Sequence, residues 1–416
     1  MMEWDITKIG DVCQVGDGAH ASIKRQNEGI LYLTAKNFKE DGLDLSNLDY
    51  ISLSDYNKHF PDKSNKLIRP QTNDLVFSII GSIGTPYIVK KTDVFGLSSS
   101  VAILRPNRRL LDTRYLFYWM LSPALQTTLS MVKSGVAQGF LSLEIIKNLP
   151  VLLPPVSIQE KTATILSTYD DLIENNKRRI AILGKIAQEI YREWFVRFRY
   201  PGYKKGKTPK GVSIEWNNTV LKDIIHLTMG QSPKSEFYNQ EGIGLPFHQG
   251  VGNFGDRFPA HNVYCSVKGR IAEKGSILFS VRAPVGRLNI ADRKLIIGRG
   301  LAAMKHRKGL NTYLYYMLRH EFSKEDIIGN GAIFNSVGKD ELANFRVLYN
   351  DSIAELFNGL IEPIDKKIEL LNLSNFNLRH TRDLFLSRLL SGKLSVEDLD
   401  IQFPQSMEDD YAEFHQ

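Results

Sequence analysis

Arg282 and Arg299 each stand between apolar segments, and each needs a partner for its charge. Arg282 lies in SVRAPVG, just after an apolar run and beside a proline-stiffened turn. Arg299 lies in IGRGLAAM, between glycines that admit close backbone approach. A guanidinium between apolar segments must reach water, an acid or a phosphate. Arginine is enriched at the bases and phosphates of DNA, so DNA contact is preferred here over an internal ion pair. GVGNFG, from Gly250 to Gly255, fits the glycine pattern of a dinucleotide site. That chemistry needs a helix after the glycines, and Pro259 in DRFPAHN argues against one. A turn presenting His248, Gln249, Asn253 and Arg257 suits DNA better, since Gln and Asn can pair with adenine and Arg with guanine. The same loop could equally turn its polar groups to water.

The first part of the chain offers a different set. The stretches aligned with those arginines, SIIGSIG and GLSSSVA, contain no Arg; Ser82, Ser98, Ser99 and Ser100 take the places. His20, Lys24 and Arg25, in DGAHASIKRQNEG, form the most basic early loop. Lys36, Asn37 and Gln138 complete the candidates, and a merely solvated loop explains this group as well. Catalysis has no comparable footing. Walker A, H-E-x-x-H and C-x-x-C patterns are absent, and FPDKSNK near Pro61 lacks a suitably spaced acidic partner. No metal or cofactor site is expected in this chain.

Composition sets the frame. A chain of 416 residues suggests two or three domains. The net charge of +7 suits a polyanion partner without requiring one. Cys13 and Cys265 make no metal-spaced cluster and no disulfide framework, which fits a reducing cytosol and a cytoplasmic location. The first residues, MMEWDITKIG, carry acids and no apolar core, so no signal peptide is expected. The uncharged stretch from Leu75 to Val89 is too short to span a bilayer and reads as a buried strand pair. No membrane partner is expected.

The elements that must position these residues are written twice. EWDITKIGDV from Glu3 matches EWNNTVLKDI from Glu215, and LVFSIIGSIG from Leu75 matches ILFSVRAPVG from Ile277. YLFYWML from Tyr115 matches YLYYML from Tyr313, and GVAQGFLSLEIIKNLPV from Gly135 matches GAIFNSVGKDELANFRV from Gly331. Further on, Asp170 aligns with Asp365, Ile173 with Ile368 and Glu174 with Glu369. The offset falls from 212 at Trp4 to 195 at Ile158, so the second copy is shorter. Each copy opens with short β-rich runs and one helical stretch, TRYLFYWMLSPALQTTL in the first, which together predict an α/β or α+β globular domain.

Each copy ends in a long helical pattern. In the first, Ile165, Tyr169, Leu172, Leu183 and Ile190 recur at three-four spacing, and Ser157 with Glu160 reads as a capping box. In the second, Ile364, Ile368, Leu371, Leu378 and Phe385 form the matching stripe. Pro363 inside it is expected to kink or split the helix. Some thirty residues make a rod about 45 Å long. The economical arrangement is an antiparallel two-helix coiled coil with a globular domain at each end, matched to two DNA half-sites about one turn apart. The expected order is a globular domain over 1–153 and a spacer helix over 154–199. A basic linker over 200–214, a second globular domain over 215–349, a second spacer helix over 350–393 and an acidic tail over 394–416 follow.

Two variable domains, each followed by a repeated helix, resemble the specificity subunit of type I restriction–modification systems. The junction LPPVSIQEKTATIL and the helix end EWFVRFRYPG carry the same resemblance, which covers nearly the whole chain. It implies that each globular part is a target recognition domain reading half of a bipartite site in double-stranded DNA. It also implies that the paired helices act as a ruler and dock two methyltransferase (modification) subunits, with restriction subunits joining them. S-adenosylmethionine chemistry then belongs to the methyltransferase partner. In keeping with that, this chain lacks the N/D-P-P-Y/F tetrad of amino-methyltransferases. The second helix departs from the pattern, with Asn350-Asp351 and Ala354 at its opening. Two other readings stay open: an enzyme that modifies or cleaves DNA unaided, and a coiled-coil adaptor with no sequence preference.

Overall fold

A computed structural model describes residues 4–39, 42–64, 66–81, 86–135, 140–205, 215–322 and 336–402. The chain divides into two compact units: Met1–Asn175 with Asn375–Gln416, and Asn176–Ser374.

In the first unit a four-stranded antiparallel sheet runs Cys13–Asp17, Val101–Pro106, Leu75–Ser78, Pro86–Ile88. Leu75–Ser78 is buried at every position, because both faces of the strand are covered. It pairs with Pro86–Ile88, which is the strand pair expected from the uncharged stretch. A three-stranded sheet places Ile30–Leu33 between Asp49–Ile51 and Phe95–Leu97, the last pairing parallel. The predicted helical stretch forms two helices, Thr113–Leu121 and Pro123–Gly135. Pro123 has no N–H to continue the first, and proline is well suited to open the second.

The second unit repeats this plan. Its four-stranded sheet runs Ile225–Met229, Leu301–His306, Ile277–Ser280, Leu288–Ile290, the same order by alignment. The parallel pair recurs as Leu245–His248 with Leu295–Ile297, here within a five-stranded sheet. The helix Asn311–Phe322 takes the place of Thr113–Leu121.

The two long helices are Val156–Tyr191 and Asp351–Leu390. Their ends are set into the heads. In the first unit Ile158, Ala163 and Leu166 share a core with Tyr115, Leu116, Leu386 and Leu389. Tyr169 lies 6.0 Å from Phe385 and Asp170 pairs with Arg382, so partner numbers fall as helix numbers rise. The two segments therefore run antiparallel within this unit. In the second unit Ala187, Tyr191, Trp194 and Phe195 share a core with Tyr313, Tyr316, Ile353, Phe357 and Ile361.

Three expectations for the helices need correction. The first helix begins at Val156, and the carbonyl of Pro155 accepts from Ile158 and Gln159. Ser157 is thus inside the first turn, not its cap. The anchor is Gln159, fully buried: its Oε1 accepts from Asp112 N–H at 2.8 Å, and its Nε2 donates to the carbonyls of Leu110 and Pro154. Second, the buried face includes Leu166 and Ile173, while Leu172 is 46% exposed and Ile165, Tyr169, Leu183 and Ile190 are half-buried. Apolar residues at adjacent positions widen the stripe, and periodicity alone does not choose its centre. On the second helix Ile368 and Leu371 are buried as expected, whereas Ile364, Leu378 and Phe385 are half-buried. Third, Pro363 does not split the second helix. The carbonyl its ring displaces belongs to Gly359, which is exposed and has open space around it, so water can satisfy that oxygen.

Candidate nucleic-acid interface

The hydrogen-bond register brings the candidate residues of each head to one end of its sheets. In the first head Ala102 pairs with Asp17, Val101 with Ser78 and Leu97 with Leu33, so the loops after these strands emerge together. In the second head Ala302 pairs with Met229, Leu301 with Ser280 and Ile297 with His248, giving the same cluster. Even the turn closures recur. Ile79 N–H donates to Ser100 O and Val281 N–H to Gly300 O, while Ser98 N–H donates to Leu33 O and Gly298 N–H to His248 O.

On this shared frame the second head displays arginine. Arg282 and Arg299 are both exposed, Arg282 in backbone pairing with Ser336 and Arg299 at the tip of the turn between two strands. Gly298 and Gly300 let that turn press against its neighbour. A Cβ at Gly298 would meet Gln249 Cα at 2.9 Å, and one at Gly300 would meet Gln249 O at 2.6 Å. Gln249 is exposed and Asn253 half-buried, both on the adjoining loop. GVGNFG follows a strand, but its one helical turn, Val251–Asn253, lies within the motif and no helix follows Gly255 before the strand at Tyr264, so the helix a dinucleotide would need is missing there.

The first head places Ser98, Ser99 and Ser100 in the equivalent turn, half-buried, with Ser98 and Ser100 hydroxyls 2.6 Å apart. Its cations lie on flanking loops. Arg25 stacks over Tyr32 at 3.9 Å, and Arg25 and Lys36 converge on Asp49 at 3.6 and 3.0 Å. Lys24 is exposed, and His20 is exposed with Asp17 at 2.7 Å. Ser82 and Gln138 lie outside the described residues.

Three candidates face inward and are withdrawn from the contact set. Asn37 is 2% exposed; its Oδ1 accepts from Thr34 N–H and its Nδ2 donates to the carbonyls of Asp44 and Asn47. His248 is 1% exposed and lies 3.0 Å from His261, which in turn lies 2.8 Å from Asp292. If His261 gives its Nε2 proton to Asp292, its Nδ1 accepts from His248 Nε2–H. Burial holds the His248 pKa down to about 4, so this ring is neutral. Arg257 is buried against Asp365, donates to Tyr316 Oη at 3.2 Å and stacks over Tyr315 at 4.5 Å. Burial works against its charge, but Asp365 and the two tyrosines hold its pKa above the usual value. Loop polarity looks alike in sequence whether a side chain turns outward or finds an acid more than 100 residues away.

Sequence reasoning missed other residues. Ser232 Oγ accepts from Arg299 N–H and donates to Gln249 Oε1, joining the two loops. Tyr118 Oη donates to Asp170, and Tyr316 Oη to Asp365. These were findable, because the repeat aligns both tyrosines and both aspartates.

The type I restriction modification DNA specificity domain matches residues 1–183. A protein of Methanocaldococcus jannaschii named as the MjaX specificity subunit of a type I restriction enzyme is 28% identical over 408 residues, covering 95% of this chain and 94% of that protein. The type I restriction enzyme MjaIX specificity subunit of the same organism is 26% identical over 426 residues, covering 95% of each. Among solved structures, the S subunit of a type I restriction–modification system from M. genitalium shares the fold. Its TM-score is 0.56 at 16% identity, over 93% of this chain and 96% of that one. The domain match over the first 183 residues and the relatives aligned nearly end to end agree: what this chain is similar to are type I restriction enzyme specificity subunits.

Proposed function

We propose that this chain selects the DNA sequence on which a type I restriction–modification complex acts, reading a bipartite, asymmetric site with its two heads. The observation that carries this is the matched pair of sheet ends. One backbone frame recurs in both units, yet the equivalent turns carry Ser98–Ser99–Ser100 in one and Gly298–Arg299–Gly300 in the other. A shared frame with exchanged side chains at one edge suits reading two different half-sites.

In this proposal the long helices form an antiparallel coiled-coil spacer. At about 1.5 Å per residue, 36 and 40 residues are long enough for the ruler role. Two methyltransferase subunits dock on the spacer and restriction subunits join them. S-adenosylmethionine binds the methyltransferase, and this chain contributes no catalytic group. Among the described residues no cluster of His, Cys, Asp and Glu could hold a metal ion, and no helix is long and apolar enough to cross a membrane.

Methylome sequencing of cells carrying the chain with its modification subunits tests the reading. The expected pattern is one split motif with a fixed gap, and inserting one heptad into the helix Val156–Tyr191 should lengthen that gap. Methylation by the purified chain alone would instead favour a self-sufficient enzyme, and binding without any base preference would favour an adaptor.

A further inference from the structure

The corner of the second head formed by Ser232, Gln249 and Arg299 is held by hydrogen bonds within the chain. Three backbone N–H groups fasten the turn: Gly298 to His248 O at 2.8 Å, Gly300 to Gln249 O at 3.0 Å and Arg299 to Ser232 Oγ at 3.1 Å. The Ser232 hydroxyl accepts the last of these and donates its own proton to Gln249 Oε1 at 2.7 Å. The acceptor end of the Gln249 amide is therefore engaged. Among the described residues, neither Gln249 Nε2 nor the Arg299 guanidinium has a partner, and both side chains are exposed.

A glutamine with both ends free matches adenine, which offers an acceptor at N7 and a donor at N6. Ser232 holds one lone pair of Oε1 and turns that oxygen towards the Gly298 turn, so the part of the Gln249 amide left to face a base is its Nε2 donor, and arginine only donates. We propose that this corner is a donor-only reading edge. It selects guanine, with its O6 and N7 acceptors, opposite Arg299, and it requires a lone acceptor, not an amino group, at the adjoining base facing Gln249. Ser232 is a positioning residue that sets the polarity of Gln249. This rests on the DNA-reading role proposed above and specifies the chemistry of one half-site.

The test is selection from a random-sequence DNA duplex library by the full-length chain with its modification subunits. Wild type should enrich a split motif with guanine in one half. Arg299→Ala should lower the preference for that guanine by roughly 10- to 100-fold and leave the other half unchanged. Ser232→Ala frees Oε1 and should admit adenine at the adjoining position. Gln249→Glu keeps the Ser232 bond but replaces donor by acceptor, and should move that position towards cytosine. A purely structural role for Ser232 would lower affinity without changing base preference, and that result overturns the inference. So does wild type already favouring adenine at the Gln249 position, or Arg299→Ala weakening all sequences evenly. If wild type enriches no sequence at all, the DNA-reading role fails and this inference fails with it, whereas a split motif indifferent to these variants removes the inference alone.

Discussion

The two units fasten their long helices with the same two residues and a different third. In the first, Tyr118 Oη donates to Asp170, and the guanidinium of Arg382 closes the group from the second long helix. In the second, Tyr316 Oη donates to Asp365, and Arg257 closes it from the candidate reading loop. The repeat keeps the tyrosine and the carboxylate, which share an aligned pair of elements, and takes the cation from wherever the chain passes. The difference has a mechanical meaning. The first group ties helix to helix, whereas the second ties a loop of the candidate interface to a helix. Burial differs too: the Arg257 and Asp365 side chains are 6% and 15% exposed, Arg382 and Asp170 24% and 33%. The second group should therefore cost more to break.

Arg257→Ala gives the sharpest contrast. It leaves Asp365 buried without its cation, and the expected loss is about 3–5 kcal/mol, confined to the second unit. Urea unfolding followed by region-resolved hydrogen exchange measures it, and equal losses from Arg257→Ala and Arg382→Ala would end the distinction.

Acidification should separate the units next. Burial depresses His248 and His306 to about 4, both in the second unit. The unfolded chain binds protons on them first, near the ordinary 6.5, so their contribution is intact above that value and falls away towards pH 4. At pH 5 the expected loss is about 2 kcal/mol per histidine. In the first unit burial raises Asp74 and Asp112, so protonating these carboxyls eases the folded state as pH falls. Hydrogen exchange between pH 7 and 5 should show the second unit loosening first; the reverse order would contradict this assignment.

The equivalent turns provide a smaller test. Gly298→Ala drives a Cβ towards the Gln249 backbone, at a cost of about 1–3 kcal/mol. Ser98→Ala removes one hydroxyl contact with Ser100, worth about 1 kcal/mol. Thermal melts of the two variants rank them. Smallest is Arg382→Ala, about 0.5 kcal/mol, because water reaches both partners. A loss above that of Arg257→Ala would reverse the comparison.

Much of this architecture was legible in the residues. The strands at Leu75 and Ile277 and the helices at Tyr115 and Tyr313 fall on the segments that the doubled blocks align. The expectation that the glycines beside Arg299 admit close backbone approach also matches, because flanking glycines report a local backbone need. The site was only partly legible. Asn37, His248 and Arg257 resemble Gln249 and Arg299 in type and setting, yet they point inward.

Sequence by itself therefore determined what depends on neighbours along the chain: periodicity, turn chemistry and the repeat. Tertiary structure alone decided which of two loop arginines is an internal brace and which is free to meet a ligand. It also decided which face of each long helix is buried. The reason is physical. Arg257 is neutralised by Asp365, 108 positions away, and no local pattern encodes that encounter. Arg299 is free because the glycines beside it and Ser232 behind it use up the backbone and leave the guanidinium outside.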